Sequence, residues 1–402
     1  MTDTFVAEPV PADALAARVK VVDADAHLIE PPDLWTSRVS VAKWGDLVPH
    51  VRWDETSQQD SWFFGDSRII GSATCAMAGW DQFPPSWPKH LSDVDPATWD
   101  AEKRLKRMDE DGVYAQVLYP NVAGFGAGHF TNVKHPDLTL LLVQAYNDFL
   151  AEYSSIAPDR YIAIAAVPFW DLDASVKEIR RAKELGHRGI MFGQQPDFWG
   201  APDLTDRHWD PVWATAQELE MPVNFHVASG DSSAAWGGNP QNGPSANFAI
   251  PSISFFVDNS RAITRLIFGG ICHRFPNLDF VSVESGVGWL PFAVDAMDWM
   301  WKNCGVGVEH PEYDLLPSEY FRRQIYGCFW FEDEPLRAAV EHMGPDNFLY
   351  ETDFPHPTSM SPGPASAAVE PWRYVEDVVG SFPEETARKL LHDNAARVYG
   401  LT

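Results

Sequence analysis

Cysteine is scarce in this chain: four residues, Cys75, Cys272, Cys304 and Cys328, with no CxxC pair among them. That spacing excludes a zinc ribbon or a dithiol redox motif, and so few thiols exclude a disulfide framework. All four are expected to be reduced. Basic residues are short as well, with 30 Lys and Arg against 57 Asp and Glu in 402 residues and a formal net charge of −27. A nucleic-acid surface or a face docked on anionic lipid needs the opposite sign. Neither partner is expected, and a small molecule is. No apolar run reaches the roughly 18 residues of a membrane span. The opening stretch MTDTFVAEPVPADALAARVK has no basic start or apolar core of a secretory leader. Residues 1–17 are expected as a flexible tail and the cytoplasm as the compartment. Also missing are GxGxxG after the first strand-like run and GxxxxGK[ST] anywhere, the motifs on which nucleotide-binding folds rest. What remains is apolar: 45% hydrophobic and 13% aromatic residues, far too much for intrinsic disorder.

Apolar runs of buried-strand type alternate with helical periodicity along the chain. Strands are expected at Val19–Asp25, Ala115–Pro120, Tyr161–Pro168, His187–Gly193, Pro222–Val227, Leu278–Glu284, Ile325–Phe331 and Phe348–Asp353. Helices are expected at Asp100–Asp111, Asp137–Ile156, Leu172–Leu185, His208–Glu220, most of Phe248–Gly269, Gly288–Trp301 and Glu334–Met343, with two short ones at the end. Eight β-α units predict an α/β fold, a closed (β/α)8 TIM barrel forming one domain over residues 18–402. A barrel needs about 250 residues. The surplus falls mainly in an insertion after the first strand, residues 31–99, which holds seven of the 17 tryptophans. Within it, SWFFGDSRII reads as a hairpin around Gly65-Asp66. An insertion there is placed to roof the barrel mouth, or equally to serve as a packing cap or subunit contact.

In such barrels the chemistry gathers where strands end at the C-terminal face. The first strand ends in Asp25-Ala26-His27, the fifth in His226, the sixth in Glu284-Ser285, and the eighth in Asp353 followed by His356. Residues i and i+2 of a strand share a face, so Asp25 and His27 can address one centre. Imidazoles with carboxylates make a common ligand set for Zn, Mn or Fe. Asp25, His27, His226 and Asp353 are therefore the expected metal ligands.

The segments VVDADAHLIEPPDLW, RLKRMDEDGVYAQVLYP, PDRYIAIAAVP, GHRGIMF, PVNFHV, RFPNLDFVSVESGVGWLPF and YETDFPHP occur in this order. Together they resemble the amidohydrolase superfamily, and within it the branch typified by aminocarboxymuconate-semialdehyde decarboxylase. The resemblance implies one divalent metal, with Zn first and Mn or Fe as alternatives. The fourth strand, HRGIMFGQQ, offers none of the bridging lysine or glutamate of binuclear relatives. Where decarboxylases of this branch place a catalytic histidine on the sixth strand, this chain has Ser285 with Glu284 beside it. Asp353, Glu284 and His273 are the candidate catalytic groups, with His356 an alternative imidazole. Glu284 is equally a candidate ligand, and with Asp25 and His356 would complete a second metal site. Trp35, Tyr119, Trp289, His356 and Trp236 are the candidate substrate contacts, Trp236 in the Gly/Ser-rich loop Ser229–Asn247.

The expected activity is that of a metal-dependent hydrolase or non-oxidative decarboxylase. Its substrate is a small cyclic or aromatic carbonyl or carboxylate compound. Two alternatives stand beside it: a dinuclear Fe or Mn oxygenase of the same family, and a non-catalytic metal-binding subunit of a hetero-oligomer. The resemblance also implies a homodimer or higher oligomer.

Overall fold

The protein is described from a computed structural model covering residues 9–401 except 123, 125 and 232–237. Trp236 lies outside the described residues.

The strands in chain order are β1 (Val22–His27), β2 (His50–Asp54), β3 (Gln59–Phe64), β4 (Ser67–Gly71), β5 (Ala115–Tyr119), β6 (Tyr161–Ala166), β7 (Gly189–Met191), β8 (Val223–His226), β9 (Phe280–Val283), β10 (Ile325–Phe329) and β11 (Phe348–Tyr350). Eight of them form one parallel sheet in the order β1-β5-β6-β7-β8-β9-β10-β11. Closure between the outer members is brief. A parallel bridge joins Ala26 to Phe354, His27 N–H donates to Phe354 O at 2.6 Å, and Asp353 N–H donates to Asp25 O at 2.9 Å. Below it, Asp23 accepts the Thr352 amide at 2.8 Å and hydroxyl at 2.5 Å. The expected TIM barrel is therefore the fold, nearly closed, and both strands at its seam carry candidate ligands.

Alternation decides which side chains face inward. Val22, Ala24, Val117, Ile162, Ile164, Val281, Val283 and Leu349 fill the interior. The outward faces pack on helices through residues such as Ile190, Phe225, Trp209 and Trp213. The helix after the insertion, Ala101–Asp111, starts on Asp100, whose carboxylate accepts the Lys103 amide, and ends on Gly112 at φ 74, the left-handed cap glycine favours. The expected helix over Phe248–Gly269 is two, Pro244–Phe256 and Ser260–Phe268. The break falls at residues 257–259, and the side-chain Nδ2 of Asn259 donates to Phe225 O and Val283 O on the barrel strands.

The insertion carries the antiparallel sheet β2-β3-β4. Its β3–β4 turn is Gly65-Asp66, between paired Phe64 and Ser67, with Gly65 at φ 59. The loop after β4 sits against the segment that follows Asp353: Met77 N–H donates to Pro355 O at 2.7 Å. At the other end of the chain, Leu15–Arg18 is a helical turn with Leu15 and Ala16 buried.

Candidate metal centre

Three departures from regular strand geometry bring the candidate ligands together. Between Asp23 and Ala26 the pairing of β1 with β5 slips by one residue. This is a β-bulge, of the kind that re-aims side chains beside active sites. Without it, Asp25 would share the outward face of Asp23; with it, Asp25 and His27 both point inward after Val22 and Ala24. Glu284 follows inward-facing Val283, and simple alternation would turn it away from the interior. Its φ of 54 reverses that. Asp353 has a φ of 57. Left-handed backbone costs on the order of 1–3 kcal/mol in a non-glycine residue and concentrates at functional sites.

The result is a buried cluster of three imidazoles and three carboxylates. Asp25, His27, His226 and Glu284 form one set of donor atoms within 4.8 Å of each other, and His27, Glu284, Asp353 and His356 form another. The Nε2 atoms of His27 and His226 are 3.1 Å apart. His27 Nε2 lies 3.4 Å from Asp25 Oδ1 and 3.5 Å from Asp353 Oδ1. His226 Nε2 lies 3.6 Å from Asp25 Oδ2 and 3.3 Å from Glu284 Oε2. His356 stacks on His27 with ring centroids 3.5 Å apart, and its Nδ1 is 3.1 Å from Asp353 Oδ1.

This arrangement fits a cation. The Nδ1 atoms of His27 and His226 face the carbonyls of Pro120 at 3.2 Å and Val227 at 2.9 Å. Donation there leaves each Nε2 lone pair aimed at the cluster, as metal-ligating histidines are held. Beyond the loose imidazole contacts, no hydrogen bond from the described residues satisfies any of the four carboxylate oxygens of Asp25 and Asp353, all of them buried. Such orphaned groups are costly unless a cation compensates them.

The electrostatics of the carboxylates and of His27 agree with this, whereas at His226 the lowering by burial is outweighed by Asp25 and Glu284, which raise its imidazole above the ordinary value. Burial pushes the Asp353 carboxyl well above its usual range, and Glu284, Asp25 and Glu351 push the same way. Burial likewise raises Asp25, against the opposing pull of His226. Glu284 is pushed up to about 7 by burial, with His226 opposing and Asp25 adding to the rise. Burial, His356 and His226 hold the His27 imidazole well below its ordinary value, the neutral form a ligand requires.

Sequence reasoning placed other residues here that the fold does not. His273 lies on the turn Ile271–Arg274 before β9, at the N-terminal end of that strand and the opposite end of the barrel. Its Nδ1 faces Asp314 at 3.4 Å and the Tyr320 hydroxyl at 3.3 Å. It is therefore removed from the candidate catalytic groups. Trp35 is core, its ring edge-on to Trp62 at 5.1 Å and Phe130 at 5.9 Å and its indole N–H given to Leu142 O. Trp289 lines an outer groove with Ile263, Phe268 and Met297, and its indole donates to Ser285 O. Tyr119 gives its hydroxyl to Asn224 at 3.0 Å and backs two imidazoles of the cluster, with centroids 6.0 Å from His27 and 5.6 Å from His226. Ser285 is buried and bonded to the Ser282 hydroxyl at 2.6 Å. At the end of β9 it is Glu284, not Ser285, that meets the cluster.

Two supporting residues were not anticipated. Asn121 Oδ1 meets His356 Nε2 at 2.6 Å, and the amides of Asn121 and Val122 donate to Glu30 Oε1 at 2.8 and 3.0 Å. Glu30 therefore fixes the loop that orients His356. Burial pushes its carboxyl up to about 7, against the two amide bonds. A carboxyl raised on folding adds stability at acid pH that is lost as pH rises through its folded value. Glu30→Gln removes that loss while keeping the acceptor. Relative to the parent, the metal-stripped variant is expected to gain about 3 kcal/mol between pH 5 and pH 8, at 1.36 kcal/mol per pH unit of displacement. Urea unfolding at the two pH values measures it; parallel profiles for both proteins would reject the assignment.

Comparison with known proteins adds a family, two relatives and two solved structures. A family model described as amidohydrolase matches residues 22–401. 2-Amino-3-carboxymuconate-6-semialdehyde decarboxylase of Dictyostelium discoideum is 26% identical over 326 residues, covering 78% of this chain and 80% of its own. Gamma-resorcylate decarboxylase of Rhizobium radiobacter is 25% identical over 269 residues, covering 63% of this chain and 76% of its own. Among solved structures, an amidohydrolase of Mycobacterium avium subsp. paratuberculosis superposes with a TM-score of 0.74 at 23% identity, over 95% of this chain and 99% of that one. The 5-carboxyvanillate decarboxylase of Novosphingobium aromaticivorans, solved with bound manganese, gives 0.66 at 17% identity, over 98% and 99%.

Proposed function

Because the chain belongs to the amidohydrolase family, we propose that it is a metal-dependent decarboxylase of a small aromatic or cyclic carboxylate. The observation that carries this reading is the buried donor cluster at the barrel mouth, with its four unsatisfied carboxylate oxygens. The two curated relatives described above, both named as decarboxylases, favour decarboxylation over hydrolysis. In this reading Asp25, His27, His226 and Asp353 hold one divalent ion. Zinc is the first candidate, and manganese, found in the 5-carboxyvanillate enzyme, the alternative.

When bound, the ion supplies a Lewis acid for the substrate's carboxylate or a neighbouring oxygen. The chain's own groups handle the proton that replaces carbon dioxide on the ring. Glu284, with a carboxyl pushed up to about 7 and a side chain 14% exposed, can hold a proton at neutral pH and face arriving substrate. Asp353 takes part from the ligand side. His356 orients Asp353 from the Asn121 side.

One observation favours a second reading. The six donors fall into two overlapping sets that share His27 and Glu284, which is room for two ions and the requirement of a dinuclear oxygenase. A single experiment separates the readings. The protein is assayed without oxygen against a panel of hydroxylated benzoates, with metal counted per chain. The first reading expects stoichiometric carbon dioxide release and about one ion. Two ions of iron or manganese, with turnover only under oxygen, would replace it with the second.

The four free thiols accord with a cytoplasmic location. Exposed Phe292, Trp299 and Met300 on one helix accord with a homodimer or higher oligomer, since a monomer rarely leaves such a cluster uncovered. Light scattering on the same preparation tests the latter; a monomer would reject it.

A further inference from the structure

Glu284 reaches the cluster only because its backbone is held in a left-handed conformation, and the surroundings show what holds it. The strand end is clamped from two directions. On the outside, the Glu332 carboxylate accepts the Val287 amide at 2.9 and 3.0 Å and the Gly288 amide at 2.7 Å. A side chain at Gly286, itself at φ 65, would come within 3.1 Å of that carboxylate. On the inside, the Glu284 amide donates to Glu351 Oε2 at 3.1 Å. Glu351 follows β11 directly, and β10 stands between β11 and β9 in the sheet. Its side chain therefore crosses the interior to supply an acceptor to a strand that is not its neighbour.

Glu351 is fully buried, its other oxygen is without a hydrogen bond, and no step of the proposed reaction uses it. A buried acid under a site already holding three carboxylates is costly. Packing gives no reason for it, since the inward residues at the neighbouring strand positions, Val283, Cys328 and Leu349, belong to an apolar cluster. The bond to the Glu284 amide does.

We infer that Glu351 is a positioning residue, whose carboxyl oxygen pins the Glu284 main chain in the left-handed turn that aims the Glu284 side chain at His226. The inference rests on the proposed role of Glu284 as a member of the metal and proton machinery. It adds the residue that makes that role geometrically possible.

Glu351→Gln keeps an acceptor oxygen of the same reach, and Glu351→Leu removes it at similar volume. Hydrogen exchange of the 284–288 peptide in metal-stripped protein reads the clamp directly. Faster exchange is expected in the Leu variant, parent-like exchange in the Gln variant, and no change at distant peptides. Manganese binding, titrated into the same proteins, reads the consequence. Supporting residues of ligands are worth tenfold to a hundredfold in affinity. The Leu variant should lose that much and Glu284→Gln a similar factor, and the double variant should lose no more than the worse single. Unchanged protection of the 284–288 peptide in Glu351→Leu overturns the inference. So do additive losses in the double variant, because Glu351 would then act independently of Glu284. If Glu284→Gln leaves manganese binding untouched, Glu284 serves the proton alone and not the ion, and the exchange result decides the clamp.

Discussion

His226→Ala is expected to fold normally, to lose bound divalent metal by at least tenfold, and to turn over at roughly one-thousandth of the parental rate or less. The imidazole is fully buried, and nothing else on β8 can take its place: Asn224, the preceding inward residue, is committed to Tyr119, Ile190 O and Tyr399. Its Nε2 stands 3.1 Å from that of His27, 3.6 Å from Asp25 and 3.3 Å from Glu284. Removing it therefore opens one side of the donor cage. It also leaves Asp25 and Glu284 facing each other without the group that draws both towards ionisation. A thousandfold rate loss corresponds to about 4 kcal/mol of transition-state stabilisation, within the several kcal/mol that a catalytic metal supplies. His273→Ala is the control. That residue pairs with Asp314 and Tyr320 at the other end of the barrel, and its loss should leave metal content and rate unchanged. Elemental analysis and initial rates on the two variants decide the matter. Full occupancy in His226→Ala would remove the site assignment altogether.

The contrast between these two histidines shows what the sequence could disclose. His226 closes a strand and His273 precedes one, and in a parallel barrel that difference alone puts them at opposite ends. Strand direction was therefore legible, and His273 became a candidate only because it was an imidazole near the sixth strand. The choice of Asp25 and His27 rested on the i, i+2 rule, which puts the pair on one face; that this face is the inward one follows from the bulge between Asp23 and Ala26. No residue type announces that bulge. Glu284 and Ser285 were adjacent alternatives, and the left-handed backbone at Glu284 decides between them. Glu351 was within reach of the same rule, lying two residues before Asp353 in YETD. Glu30 and Asn121 were not, because they act through the amides and rings of other segments.

Arg104 belongs to the residues that sequence could not reveal, and it carries the second large prediction. Arg104→Met is expected to destabilise the fold by ~3–5 kcal/mol, the range for breaking a buried charged network, and to weaken metal binding as a consequence. The guanidinium is fully buried. It donates from Nη2 to His27 O at 2.6 Å and Thr98 O at 3.1 Å, from Nε to Ala97 O at 2.6 Å, and from Nη1 to Gln116 Oε1 at 3.1 Å. Its plane lies 4.5 Å from the centroid of Phe354, the residue after Asp353. One side chain thus joins the end of the insertion, the first barrel helix, the main chain of the candidate ligand His27 on β1 and the seam beside β11. Methionine matches the stem but supplies no donor. Thr98 O keeps the Ile29 amide at 3.0 Å, but the Ala97 and His27 carbonyls would lose this donor, at about 1–3 kcal/mol each when left unsatisfied, and Asp23 would lose a compensating charge. Lysine should recover little, because one ammonium cannot reproduce a planar fork with donors in three directions. Urea unfolding of the metal-stripped Met and Lys variants gives the stability change, and metal titration gives its transmission to His27. A Met variant within 1 kcal/mol of the parent would show that water or backbone relaxation satisfies those carbonyls, and that the ligand strand is held by its ladder alone. The expected pairing is the reverse of that for His226→Ala: there metal is lost and the fold kept, whereas here the fold weakens first and the site with it.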